Sequence, residues 1–588
     1  MRLIPYFARN PLEGQRETAT GLLLFLLCSL PFFVPIHLPP VPSFHSEWLA
    51  GALGLVLATV SFFNRSTSAL TFPQIAILPG VLIGTIVCQQ LGGQNYHYQQ
   101  ALMYCAYLVF GLTLVVTGTE LVSRYGIAHV HGAMAAGFAA GSLAQCASSI
   151  LQLQGITLWG FAPLLHGRGI YGNLAQQNNL ADYLWLGLIS IGYMFGTKRI
   201  GWLLLLAAAV PLGITAAYTS SRSAILYPLA ILALSALIKV RVGHTGALRM
   251  IKGLRAISAI TLLCLAIPQW ISPPVAQSAT TGIERLVSSA VEGKSASVRL
   301  QLLAVALQAT AEHPLIGSGV GSVPLQSLRH GDVVTGSGFG VAEHFHNVIA
   351  NWLVEFGIPV ALLACFLLWR WLRAVLRATL LPEQLLGLFL LIIIGLHSLL
   401  EYPLWYSFFL APVALILGAL DPRTKTIELS RVTSLGATGG MLLAGLLLVN
   451  LWQDHARLTR IYLLPPSGPQ AEQIWKSQVD DLLLLHRESL LSPHINGMLI
   501  VTADIDRQQL ENKQHVCEAA LHFSPAPAVI FKCAALYVLA GRVDDGLDLA
   551  RMGRRGFPAD AQSALTELRT KALEFPELAI LEAEWARQ

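Results

Sequence analysis

Two histidines stand two residues apart in Glu343-His344-Phe345-His346-Asn347, where a polar, glycine-rich stretch runs into a long apolar segment. An imidazole titrating near pH 6.5 accepts a hydroxyl proton at neutral pH, which makes this pair the first place to expect a general base. Asn347 is placed to orient a ring or to hold a substrate. Spacing alone does not choose between His344 and His346, and an interfacial histidine with one ordinary hydrogen bond is the plain alternative. Arginines form the second group. Arg222, in Tyr218-Thr219-Ser220-Ser221-Arg222-Ser223, lies at the boundary of two apolar runs, and Arg299 lies in the long polar stretch before His344. Snorkelling and a solvated helix face would explain them, but a planar guanidinium also suits phosphate oxygens, so two of them near a histidine point to an anionic ligand. Arg168, in Leu165-His166-Gly167-Arg168-Gly169, is a third member.

Two further clusters carry polar chemistry. Gly172-Asn173-Leu174-Ala175-Gln176-Gln177-Asn178-Asn179 ends in four consecutive carboxamides. Helix capping by Asn178 or Asn179 accounts for part of it, and carboxamides such as Gln176 also hydrogen-bond sugar hydroxyls or phosphate. In His397-Ser398-Leu399-Leu400-Glu401-Tyr402-Pro403-Leu404-Trp405-Tyr406 the proline interrupts an apolar run. An aromatic belt explains Trp405 and Tyr406, whereas the carboxylate of Glu401 and the phenol of Tyr402 can align a base or line an acceptor cleft. The sequence has no phosphate-binding glycine loop, no dinucleotide fingerprint and no paired aspartates in these stretches. Nucleotide-sugar chemistry on a bound divalent metal is therefore disfavoured, no cofactor is expected, and a donor carried in the membrane fits better.

The elements that must position these residues are membrane helices. Of 588 residues 54% are hydrophobic and 12% charged, with a mean hydropathy of +0.58. Soluble domains carry about 25% charged residues, so the chain is read as an all-α polytopic membrane protein. Its net charge of +5 is scattered in short groups, which excludes nucleic acid as the main partner and leaves the lipid bilayer. Apolar stretches of spanning length predict about thirteen transmembrane helices, near 20–36, 47–63, 74–91, 99–118, 129–151, 180–196, 201–218, 223–238, 257–272, 347–369, 385–399, 406–420 and 434–452. The first is expected to be an anchor and not a removed leader. Arginines and lysines gather in every second loop: at 65, 124, 198–199, 239–255, 370–377 and 423–431. By the positive-inside rule these loops are cytoplasmic, the number of spans is odd, and the C-terminal region lies outside the cytoplasm with the candidate residues.

Two outer loops are long, 152–179 and 273–346. The second predicts an amphipathic helix from Ala296 to Ala311, with Val298, Leu302, Val305 and Ala309 facing the membrane surface or capping the bundle. It is followed by His313-Pro314-Leu315-Ile316-Gly317-Ser318-Gly319-Val320-Gly321, which cannot be helical. The expected domains are thus 1–452, a transmembrane catalytic domain, and 453–588, a helical one. In the latter, helix pairs around 516–553 have the spacing of a tetratricopeptide-type repeat. Six cysteines in apolar runs read as core filler, and Cys517 and Cys533 fall on neighbouring helices as a disulfide or as two buried thiols.

The Gln-Gln-Asn-Asn loop, Ser-Arg-Ser, His-Pro-Leu-Ile-Gly-x-Gly, His-x-His-Asn and His-Ser-Leu-Leu-Glu-Tyr-Pro-Leu-Trp-Tyr together resemble the O-antigen ligase superfamily, most of all its protein O-oligosaccharyltransferases of the PglL type. The resemblance spans about residues 20–452 and implies metal-independent transfer of an oligosaccharide from undecaprenyl pyrophosphate to a hydroxyl of a periplasmic protein such as a pilin, at the bacterial inner membrane. It implies that His346, not His344, is the essential histidine, that Gln176 and Tyr402 are functional, and that Arg222 and Arg299 face the pyrophosphate. Gln177 departs from the basic residue of related enzymes. Ligation to lipid A core, polysaccharide polymerisation and, in a different class, lipid-glycan flipping are the rival readings; polar residues gathered at one face disfavour a flippase.

Overall fold

The computed structural model describes residues 11–64, 69–158, 161–162, 169–239, 243–266, 294–333, 340–463 and 471–586. Among them are 22 α-helices and one two-stranded antiparallel sheet, Ala69–Pro73 with Thr424–Glu428. Seven helices among the described residues are long and apolar enough to cross a membrane, including Tyr98–Tyr125, Ile127–Leu153, Val348–Arg377 and Arg431–Leu463. Shorter apolar helices, among them Trp202–Tyr218, Pro382–Ser398 and Ser407–Leu420, pack with them. The chain is an all-helical polytopic membrane protein.

The axis of the bundle is the helix Gln177–Gly196, in which 17 of the 20 residues are buried. Trp185, Tyr183 and Tyr193 are among the largest fully buried side chains of the protein. A helix apolar on all sides has no outer face, so its neighbours must surround it. Backbones approach closely where small residues meet. Tyr98–Tyr125 and Ser407–Leu420 touch at Gly118 and Gly418, where an added Cβ would lie 2.1 Å from the Leu415 carbonyl and 1.8 Å from that of Val115. This contact fixes the turn that precedes Ser407, which carries Glu401 and Tyr402.

One predicted span begins earlier than expected: a helix occupies Thr245–Ala266 where the spacing predicted 257–272, of which 267–272 lie outside the described residues. Arg249, Lys252 and Arg255, expected in a loop, are helical because their charges find partners on the bundle. The Arg249 Nε donates to the Phe195 carbonyl at 2.7 Å and the Arg255 Nε to the Ser235 hydroxyl at 2.9 Å.

The irregular segment 313–321 repairs a broken helix. Gly357, with φ +80°, kinks Val348–Arg377 two residues before Pro359. A proline has no N–H for the Glu355 carbonyl, and the kink turns the Ile358 N–H away from that of Val354. The Ile358 N–H instead donates to the Pro314 carbonyl at 2.8 Å, the Val354 carbonyl accepts from the Ser318 N–H at 2.8 Å, and the Glu355 carbonyl accepts from the Gln89 amide at 2.6 Å. Gly317 closes this contact with φ +72°, and a Cβ there would lie 2.4 Å from the Glu355 carbonyl oxygen. Gly317→Ala should therefore lower stability by about 2–3 kcal/mol, the left-handed penalty plus the clash. Gly93→Ala, at φ +76° in open space, should cost only about 1–2 kcal/mol. Thermal unfolding of both purified variants checks the difference.

The predicted amphipathic helix spans Lys294–Glu312. Leu302, Val305 and Ala309 are buried against Val323, Ala342, Phe345 and Val354, so this face caps the start of Val348–Arg377 and does not lie on the membrane surface. A second apolar face, Leu300, Leu303 and Leu307, is exposed. The last long apolar helix runs on to Leu463, and seven helices from Ala471 to Trp585 follow. Within them Cys517 and Cys533 form a disulfide closing 16 positions of chain. Loop-closure entropy for such a loop is worth about 3 kcal/mol, so replacing both cysteines by serine should lower the unfolding transition of this part by that order, measured on the oxidised protein.

Candidate active site

Four of the predicted site residues, His346, Asn178, Arg299 and Glu401, meet in one cluster. The organising group is the Glu401 carboxylate, in the turn after the helix Pro382–Ser398. Its Oε2 accepts from Nδ1 of His346 at 2.8 Å. Its Oε1 accepts from the Asn178 amide at 3.3 Å and faces the Arg299 guanidinium at 3.7 Å. Four separate elements thus meet on one side chain: the loop before Val348, the turn at 401, the start of Gln177–Gly196, and the capping helix Lys294–Glu312.

Local sequence explains each placement. Asn347 is the N-cap of Val348–Arg377; its Oδ1 accepts from the Ile349 and Ala350 N–H groups at 3.0 and 3.1 Å, and its amide donates to the Leu399 carbonyl at 3.2 Å. The side chain is committed to capping and to tying His346 to the Glu401 turn. His346 has φ +51°, a left-handed conformation uncommon for a residue with a Cβ, held by the cap on one side and the carboxylate on the other. Asn178 passes the network on: its Oδ1 accepts from the Ser221 hydroxyl at 2.8 Å. Arg222 is the next residue, in the turn between Trp202–Tyr218 and Ser223–Lys239. Gln176 occupies the N-cap of Gln177–Gly196, and its buried Oε1 has no hydrogen-bond partner. Tyr402 lies 5.9 Å, centroid to centroid, from His346 and 4.2 Å from His344. Arg168 lies outside the described residues.

The two histidines differ in environment. His344 packs against Tyr402 and Trp405, and burial, followed by the neighbouring His346, pushes its imidazole down to about 3 against the pull of Glu401. Such a ring is neutral and a poor base at pH 7. Only His346 pairs with a carboxylate. With Nδ1–H donated to Glu401, its Nε2 carries the lone pair, and the carboxylate stabilises the imidazolium formed on proton uptake.

Burial by itself would raise the Glu401 carboxyl. The hydrogen bond and charge of His346, with His397 and Arg299 behind, outweigh it and hold the group below the ordinary value of 4.5. A folded value below the unfolded one contributes stability that is complete above 4.5 and lost as pH falls through the folded value. Melting temperatures of wild type and Glu401→Gln, compared between about pH 6 and pH 3, should converge as the pH drops.

Sequence reasoning missed the support beneath Glu401. Asp182 and His397, both fully buried, are hydrogen-bonded carboxylate to Nδ1, and the Tyr227 hydroxyl donates to the same aspartate. The His397 carbonyl accepts from the Glu401 and Leu400 N–H groups at 2.7 and 2.8 Å, so this buried pair anchors the turn that carries Glu401. An aspartate one turn inside an otherwise apolar helix was the available signal.

The fold and this cluster define a polytopic membrane protein in which one carboxylate holds a histidine by a hydrogen bond and faces an arginine. Comparison with known proteins gives two family matches and one relative. Residues 206–365, which include Arg222, Arg299 and His346, match the family described as O-Antigen ligase. Residues 385–570, which include Glu401 and Tyr402, match a family described as virulence factor membrane-bound polymerase, C-terminal. A general O-oligosaccharyltransferase of Acinetobacter baylyi is 26% identical over 448 residues, covering 74% of this chain and 75% of that protein. These matches agree with the resemblance of the sequence motifs to the O-antigen ligase superfamily.

Proposed function

We propose that the protein transfers an oligosaccharide from undecaprenyl pyrophosphate to serine or threonine hydroxyls of pilin-like proteins, at the periplasmic face of the bacterial inner membrane. The observation that carries this reading is the Glu401-centred cluster, which joins a base to a cationic group on one carboxylate. His346 Nε2 takes the proton of the acceptor hydroxyl as its oxygen attacks the anomeric carbon. The bond from that carbon to the pyrophosphate oxygen breaks, with inversion, and the undecaprenyl pyrophosphate anion departs. Arg299 and Arg222 neutralise the charge that grows on it, which is the larger contribution because the leaving group is already good and needs no acid or metal. Gln176 and Asn178 supply amides to the donor, and Tyr402 lines the acceptor side.

The sidedness is supported by Arg124, Lys198, Arg199 and Arg377, at the far ends of helices whose near ends adjoin this cluster, and by a disulfide in the part of the chain on the cluster's side. The relative's name supports a protein acceptor. Purified protein, donor lipid and a pilin-like acceptor should give an acceptor mass increase of one glycan, absent with His346→Ala. The name of the family matched at 385–570 favours polymerisation as the second reading. It predicts a ladder of repeat masses on the lipid and an unmodified acceptor.

A further inference from the structure

The helix Lys294–Glu312 packs with one face and leaves another uncovered. On the uncovered side Leu300, Leu303 and Leu307 are 67%, 42% and 56% exposed, and Ala304 and Ala311 complete a stripe that carries no charge. The polar Gln308 and Glu312 fall to one side of it. The apolar run continues past the helix end, since Leu315 and Ile316 are 70% and 49% exposed. There it meets the outside of the kinked helix Val348–Arg377. A Cβ on Gly357 would lie 2.7 Å from the Leu315 carbonyl, and from that point onward Ile358, Leu362, Phe366 and Trp369 are exposed. Those four side chains belong to the lipid-facing side of a membrane helix, so Leu315 and Ile316 join the stripe to a lipid-facing surface.

Two helices give the depth of this junction. The Arg370 guanidinium donates to the Gln74 side chain at 3.0 Å, so the two residues stand at one level. Arg370, with Arg373 and Arg377 after it, marks one polar boundary of the bilayer. Glu355 is fifteen residues back along one helix, Gln89 is fifteen residues on along the other, and they meet. The Gln89 amide donates to the carbonyls of Glu355 and Ile316, both at 2.6 Å. At the helical rise that level is about 22 Å from Arg370, and less with tilt. A hydrocarbon core about 30 Å thick extends beyond it, so Ile316 lies beneath the bilayer surface on the side of the Glu401 cluster. The hydrogen bonds agree with this depth. Irregular backbone is tolerated in hydrocarbon where protein satisfies its polar groups. The Pro314 carbonyl has the Ile358 N–H, the Ile316 carbonyl has Gln89, the Ser318 N–H has the Val354 carbonyl, and the Gly321 N–H has the Glu355 side chain at 2.9 Å. In water the Ile316 carbonyl would not need an amide from a third helix.

We propose that Leu315, Ile316 and the stripe of Leu300, Leu303 and Leu307 are embedded among the acyl chains of the leaflet on the cluster's side, which makes residues 300–316 a re-entrant element. Acyl chains are the occupant because the surface is continuous with that of a membrane helix, reaches hydrocarbon depth, and has side chains with neither charge nor hydrogen-bonding group to engage a protein. Arg299 directly precedes the stripe, so its guanidinium is held where the acyl chains end. The inference does not depend on the chain transferring glycans.

The test places an environment-sensitive fluorescent amino acid, one position at a time, at 303, 307, 315, 308 and 362 of the full-length protein in lipid nanodiscs. All five native side chains are exposed, so the probe displaces no packing. Phospholipids brominated on their acyl chains should quench the probe at 303, 307 and 315 within about twofold of its quenching at 362, and aqueous iodide should quench it there about fivefold less than at 308. Iodide quenching equal to that at 308 would put the face in water, and protection from both quenchers would give it to a second copy or another protein. Either result, at any of the three positions, overturns the proposal.

Discussion

Replacing His346 by alanine is expected to lower glycan transfer by about 10³-fold, the usual worth of a positioned general base, while leaving the amount of folded protein in membranes unchanged. The side chain is one-third exposed and packs little, so its loss should cost chemistry and not stability. What marks it is its partner. Glu401 holds Nδ1 and leaves Nε2 to receive a proton, and a charge appearing on the ring is met by a carboxylate already in place. His344, two residues away, packs half-buried against two aromatic rings, and that desolvation pushes its imidazole down to about 3, so His344→Ala should cost less than about tenfold in transfer and more in stability. Initial rates on a pilin-like acceptor, with membrane abundance measured in parallel, separate the two. Normal rates for His346→Ala beside an inactive His344→Ala would reverse the assignment.

Much of this arrangement was legible in the sequence, residue by residue. Apolar length announces a membrane helix because hydrocarbon leaves the backbone no other way to satisfy its hydrogen bonds. The individual site residues stood out because polar side chains at the ends of such helices need a reason. Their pairing did not stand out. His346 and Glu401 are 55 positions apart and Asn178 and Glu401 are 223 apart, and no local pattern encodes such contacts. Two local assignments were incomplete for the same reason. Asn347 looked like a possible ligand, yet its side chain is consumed by the helix cap. The segment 313–321 read only as a non-helical stretch, yet its backbone replaces hydrogen bonds that Gly357 and Pro359 remove from a helix later in the chain. In both cases the deciding partner is a backbone group whose availability depends on the fold.

Arg299→Ala is the second substitution expected to have a large effect, about 10²- to 10³-fold in turnover, with little change in melting temperature. Arg299 sits 3.7 Å from Glu401, too far for a hydrogen bond, and its side chain is 37% exposed. An ion pair of that kind contributes about 0–1 kcal/mol to stability, and a guanidinium held so loosely is free to turn toward the pyrophosphate. Two roles are then distinguishable. If Arg299 served only to position Glu401, removing it from a Glu401→Gln background would cost nothing further, because the group it positions would already be neutral. If it stabilises the leaving group, the losses from Arg299→Ala and Glu401→Gln should multiply, since one acts on the departing pyrophosphate and the other on the base. Arg299→Lys should recover about tenfold of the loss, keeping the charge without the planar fork. Initial rates for the single and double variants, at saturating donor, decide it: a double variant no slower than Glu401→Gln would assign Arg299 to positioning and leave Arg222 as the cation that meets the leaving group.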